Sequence, residues 1–169
     1  MQTNSYKIDF GKNLNGNTWY VVNDGVMGGL SQSQIKFEDN YIEFSGTTSL
    51  KNNGGFASMR SESVQLDLSN YTNVKMRYKT NSNRSFGLRL GLHNAYYMPN
   101  LTYKFSSTSN EWKTLEIPLT DFSVYRMGNP IQKNVDIEKV KDVIRIGIML
   151  NDKKEEEFKL LIDYIEFIK

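Results

Sequence analysis

Apolar and polar residues alternate with a period of two along most of this chain. Val74, Met76 and Tyr78 alternate with Lys75, Arg77 and Lys79, and Phe86, Leu88, Leu90 and Leu92 alternate with Gly87, Arg89 and Gly91. Leu101, Tyr103 and Phe105 repeat the pattern, as do Ile144, Ile146, Ile148 and Leu150. Successive side chains of a strand point to opposite faces, so the pattern predicts strands buried on one side. Further strands are predicted at 19–23, 34–37, 41–45, 56–60, 64–68, 112–117 and 158–167. Clusters of Gly, Asn, Asp and Ser separate them at 11–17, 38–40, 52–55, 81–84, 106–110 and 151–157. The last cluster holds Lys153-Lys154-Glu155-Glu156-Glu157, which reads as a solvated hairpin loop. Only 136–142 suggests a helical turn. Short strands with regular turns and no long amphipathic helix predict an all-β fold, an antiparallel β-sandwich or jelly roll. With no repeat, low-complexity tract or linker, 1–169 reads as a single domain.

Composition narrows the function classes. The apolar fraction is 38% and the charged fraction 24%, enough for a packed core and against disorder. Ten Tyr, nine Phe and two Trp reinforce the strand reading. The net charge is only +2 and the basic residues are scattered, so nothing tracks a phosphate backbone and nucleic acid is not the expected partner. The absence of cysteine removes disulfides, thiolate nucleophiles and Cys-ligated metals. No apolar run approaches membrane-spanning length, and the first residues show neither a signal core nor a transit pattern. As written, the chain reads as cytoplasmic.

Two segments stand out chemically. In the first, Trp19 leads a strand into Asp24-Gly25-Val26-Met27-Gly28-Gly29-Leu30-Ser31. Its glycines let successive amides converge on one point, giving either a small polar site with Asp24 at its mouth or a tight corner whose amides bond Asp24. A phosphate loop does not fit, because no Lys-Ser/Thr pair and no helix follow. The second segment runs from Ser49 through Asn52-Asn53-Gly54-Gly55 to Arg60, residues that tolerate left-handed turns leading into a strand and read as a hairpin turn. Both loops are expected at one end of the sandwich, with Asp24 and Arg60 close enough to pair.

In order and spacing these two segments resemble the complex I intermediate-associated protein 30 family. The resemblance continues through Asp67-Leu68-Ser69 with Tyr71, Trp112 before Ile117-Pro118, Asp121-Phe122, Arg126 with Gly128, Ile146-Gly147 and Ile162-Asp163 with Ile165. It implies a galactose-binding-like jelly roll, a fold shared with carbohydrate-binding modules. It also implies a domain that holds partner proteins, as members that assist respiratory complex I assembly do, without chemistry of its own.

Catalysis finds little support in the residues. His93 is the single histidine, with no partner for general-base work near it in sequence. Asp24, Asp121 and Asp163 are the carboxylates available for glycosidic chemistry, and an enzyme acting through Asp24 and Arg60 is the weakest reading. No cofactor is expected; a calcium ion, if bound, would be structural. The expected partner is a protein, and the alternative ligand is a carbohydrate on a concave face near Arg77, Arg89, Tyr97 and Trp112. Trp112 and Tyr103 read as core, and one of the adjacent Tyr96 and Tyr97 as exposed. The candidate binding residues are Trp19, Asp24, Gly28, Gly29, Asn52, Asn53, Arg60, Arg77, Tyr97 and Arg126.

Overall fold

Strands that alternate in this way must bury their apolar rows against one another, and here they do so in two antiparallel sheets packed face to face. The computed structural model describes residues 4–169. One sheet has the order β3 (Gln32–Phe37), β4 (Ile42–Thr47), β13 (Glu157–Ile168), β6 (Asn73–Lys79), β9 (Lys113–Pro118). Strand β13 is long enough that β1 (Ser5–Asp9) pairs with its second half on the edge whose first half takes β4. The other sheet has the order β11 (Asn129–Gln132), β10 (Ser123–Arg126), β8 (Asn100–Phe105), β7 (Phe86–Gly91), β12 (Arg145–Leu150), β5 (Ala57–Arg60), β2 (Tyr20–Asn23). The all-β sandwich expected from the alternation is the fold observed.

The inward rows form the core. Ile42, Phe44, Val74, Met76, Leu160, Ile162 and Ile165 come from the first sheet, and Ala57, Met59, Phe86, Leu88, Leu90, Leu101, Ile146 and Ile148 from the second, all buried. Aromatic rings bridge the layers: Tyr78 of β6 meets Phe105 of β8 edge-on at 4.9 Å between centroids, and Phe86 of β7 meets Phe158 of β13 edge-on at 6.2 Å. Each such ring or branched side chain contributes about 1.5–3 kcal/mol when fully buried.

Several local expectations are corrected. The 64–68 segment makes one bridge, Leu66 to Val143, instead of a strand. Strands β1, β10 and β11 were not expected, and the residues of β11 are exposed throughout, leaving no alternation to read. The helical turn at 136–142 is a short 3-10 turn, Ile137–Val140, with the Asp136 carboxylate accepting from the Glu138 N–H.

Neither of the loops read as hairpins is one. The segment after β4 and the segment after β12 each carry the chain from one sheet to the other. Arg84 ties these two crossovers together. Its buried guanidinium donates to both carboxylate oxygens of Asp152 (2.8 and 2.7 Å), to the Glu156 carbonyl (2.7 Å) and to Thr48 Oγ1 (2.7 Å). Burial raises the Asp152 carboxyl, but the Arg84 and Ser85 bonds and the Arg84 charge outweigh it and hold the group below its ordinary value.

Trp112 is not core. It lies half-buried beside the outer face of the six-stranded sheet, under the Arg77 guanidinium at 4.6 Å and edge-on to Tyr41 at 5.8 Å. Tyr103 does pack against the core from β8. Tyr96 and Tyr97 sit in a turn, where the strand rule of opposite faces does not apply, and both are exposed.

Candidate functional site

The loop after β2 is built around one carboxylate. Asp24 begins a 3-10 turn, Asp24–Met27, and its side chain is buried. Its oxygens accept from the Ser31 N–H (2.9 Å), the Ser31 hydroxyl, the Gly55 N–H (2.6 Å) and the Phe56 N–H (3.2 Å). The Gly55 and Phe56 donors belong to the crossover after β4, so Asp24 locks the two motif loops together. Burial pushes its carboxyl up, yet the bonds from Gly55, Ser31 and Phe56 prevail and hold it below the ordinary carboxylate value.

The glycines and asparagines of both motifs serve this lock. A Cβ on Gly29 would stand 2.4 Å from Asp24 Cγ, and one on Gly54 would stand 2.6 Å from Asp24 Oδ2. Gly28 (φ 85°), Gly55 (φ 127°), Asn52 (φ 56°) and Asn53 (φ 58°) take the left-handed backbone that these residue types tolerate. The Asn52 side chain donates to the Gly28 carbonyl at 3.2 Å, closing the second loop onto the first.

Asp24 and Arg60 make no ion pair, although their loops do share one end of the sandwich. The expectation failed because backbone N–H groups already satisfy the carboxylate. Arg60 instead points to the outer face of the seven-stranded sheet, where it donates to Ser58 Oγ at 3.0 Å.

That outer face floors a groove of about 640 Å³ running from β2 to β10. One wall is the locked pair of loops, with Val26, Met27, Asn53 and Gly54; the opposite wall has Tyr96, Tyr125 and Met127. The floor carries Arg60 on β5, Arg89 on β7 and Arg145 on β12, with Lys104 and His93 farther out, and no Asp or Glu lines the groove. Register explains the grouping: Gly147 of β12 stands opposite Arg60 on one side and Arg89 on the other. Arg145 lies two residues along from Gly147 on the same face.

These arginines lack acidic partners. Arg145 donates to Ser63 Oγ at 3.0 Å and its Nε is buried without a hydrogen bond; Arg89 bonds no protein group among the described residues. Burial, then the charges of Arg60 and Arg145, pushes Arg89 down to about 10. Burial and the Arg145 charge likewise lower Arg60, against an opposing influence of Tyr20. The outer face of the other sheet differs: Arg77 pairs with Asp163 at 2.8 Å and Lys159 with Glu43 at 3.0 Å.

The ten residues singled out from sequence therefore scatter. Asn53 and Arg60 line the groove, and Asp24, Gly28, Gly29 and Asn52 build the wall behind it. Trp19 is buried edge-on against Phe10 at 4.9 Å, which leaves it little surface to offer a ligand. Arg77 lies on the opposite face of the molecule from Arg89, so the shared concave face expected of Arg77, Arg89, Tyr97 and Trp112 does not exist. Exposed Arg126 donates to the Tyr97 carbonyl at 3.0 Å and holds the Tyr96–Tyr97 turn against β10. Sequence reasoning missed Arg145; its signal was a charge between Ile144 and Ile146, the signature that Arg89 shows between Leu88 and Leu90. Among the described residues no group of three or more His, Asp or Glu side chains gathers that would hold the calcium ion considered above, and no helix is long and apolar enough to cross a membrane.

Comparison with known proteins adds a family and a fold. The model of the family "Complex I intermediate-associated protein 30" matches residues 8–162. No curated protein sequence matches. Among solved structures, the chain is similar to the family 11 carbohydrate-binding module of the cellulosomal cellulase Lic26A-Cel5E of Clostridium thermocellum, with TM-score 0.69, 19% identity, and coverage of 99% of this chain and 96% of that one. A family 11 module from Clostridium thermocellum in complex with a β-1,3-1,4-mixed-linked tetrasaccharide gives TM-score 0.67, 18% identity, and coverage of 97% and 95%. An agarase, AgWH50C, matches at TM-score 0.65 and 9% identity over 99% of this chain but 25% of its own. At these identities the likeness is one of fold.

Proposed function

The chain belongs to the complex I intermediate-associated protein 30 family, and from that premise we propose that it is a binding domain without chemistry of its own, which holds a protein partner in the groove of the seven-stranded sheet. The observation that carries this reading is where the family motif sits. Its Asp, Gly and Asn residues lock two loops into one wall of the groove, and that wall presents Val26 and Met27 to solvent at 74% and 60% exposure. Met127 and Tyr96 face them from the other side at 60% and 66%. Apolar side chains held out on a rigid wall are what a protein ligand needs, and methionine adapts readily to irregular partners. A groove without carboxylates has no acid–base pair for glycosidic chemistry.

A photo-crosslinking amino acid placed at Met127 should give adducts with protein, identified by mass spectrometry after expression in the native host. The same group at exposed Thr114, on the opposite sheet, should give none. Equal adducts from both positions, or adducts from Thr114 alone, would refute the groove as the binding surface.

A carbohydrate ligand is the second reading, favoured by Tyr125 and Tyr96 on the groove wall. In its simplest form it is opposed by the geometry of those rings. Tyr125 is engaged by Lys104 at 5.5 Å, and Tyr96 is edge-on to Tyr97, so each ring already has a partner that a sugar would have to share or displace.

A further inference from the structure

The groove floor gathers three guanidinium groups with no carboxylate among the described residues that line it. Arg60, Arg89 and Arg145 converge on the bare backbone of Gly147, where a Cβ would lie 3.0 Å from the Met59 carbonyl and 3.3 Å from Arg60 Cβ. Arg60 and Arg89 start two strand spacings apart, roughly 10 Å, a distance that two long side chains readily close. Asp152, which contributes a stabilising charge to Lys104 nearby, is itself taken by Arg84. Three guanidinium groups in one depression repel each other and are partly stripped of water, a cost that an incoming anion would relieve. Guanidinium also pairs carboxylates bidentately and with directional specificity.

We propose that Arg60, Arg89 and Arg145 form an anion subsite that takes the carboxylates of an acidic, extended segment of a protein partner, a reading that rests on the groove being the binding surface. The rim favours a peptide over an acidic glycan. Val26 and Met27 on one side and Met127 on the other suit apolar side chains flanking a central acidic stretch, whereas a sugar chain would leave them uncovered. The length is set by the sheet. From β2 to β10 there are five strand spacings, about 24 Å, which an extended segment of about seven residues crosses.

The test uses the whole chain and three probes in calorimetric titration. The first is a peptide of about that length with central glutamates between leucines; the second is its glutamine counterpart; the third is an oligogalacturonate. The glutamate peptide should bind, more weakly as salt is raised, because the groove is open to solvent and salt screens both its exposed charges and the long-range steering. Arg89→Met should weaken it by about tenfold or more, Arg89→Lys should restore part of that loss, and Arg77→Met on the other sheet should change little. Circular dichroism of each variant guards against loss of fold. Equal binding of the glutamine peptide would overturn the anion subsite while leaving the groove reading intact. Binding of the oligogalacturonate in place of the peptide would overturn the choice of a protein ligand. Binding of the glutamate peptide that survives Arg89→Met but is lost in Arg77→Met would overturn both the subsite and the groove. No binding by any probe would overturn the subsite alone, since the crosslinking at Met127 tests the groove separately.

Discussion

At the residue scale, Asp24 shows how an acidic residue in a glycine-rich loop can be structural and still matter to function. Four donors converge on it, two of them backbone N–H groups from another loop, Gly55 buried and Phe56 partly so. Removing the carboxylate strands those donors at about 1–3 kcal/mol each, so Asp24→Ala should cost at least about 3 kcal/mol in urea unfolding. A loss under about 1 kcal/mol, the range of ordinary surface changes, would show that the lock is not needed. The pH dependence follows from the sign of the shift. The folded carboxyl titrates below its unfolded value of about 3.9. Its stabilisation is therefore complete above that value and is lost as pH falls through it toward the folded value. Asp152 is shifted in the same direction, so Asp24→Asn should flatten the acid limb of the stability curve without abolishing it. An unchanged limb would assign the acid sensitivity elsewhere. Gly29→Ala probes the same lock from its other side, since the new methyl would collide with Asp24 Cγ. It should destabilise by about 1–3 kcal/mol, as overpacking of a filled site does, and a neutral result in the same assay would mean that the loop yields.

At the element scale, strands were legible and their connections were not. Alternation identified β6, β7, β8 and β12 because each turns an apolar row into the core, and it failed for β11, which buries neither face. Turn chemistry gave the positions of the 52–55 and 151–157 loops but not their destinations. Gly, Asn and Asp tolerate tight backbone turns equally well in a hairpin and in a crossover between sheets. For the same reason the Asp24–Arg60 pair was a fair reading of two neighbouring loops, and wrong. Sequence shows complementary charges but not the backbone donors that reach one of them first. The arginines carried a visible signal, a charge at a polar position inside an apolar strand, yet Arg77 carries it equally. Only strand pairing separates Arg77, which meets Asp163, from Arg89, which meets no acid.

At the scale of the whole molecule, the two outer faces divide the labour. The six-stranded sheet pairs charges such as Arg77 with Asp163, while the seven-stranded sheet gathers cations around Gly147 without acids and builds a wall for them from the family motif. The central claim is that the groove arginines serve a ligand and are tolerated by the fold. Equilibrium urea unfolding of Arg89→Met tests this most directly. Removing a half-buried charge that has no partner and faces two like charges should leave stability unchanged or raise it, by about 0.5–2 kcal/mol, as substitutions that relax a functional site commonly do. A fall of more than about 1 kcal/mol, outside the range of substitutions that touch nothing structural, would make Arg89 part of the scaffold and contradict the account.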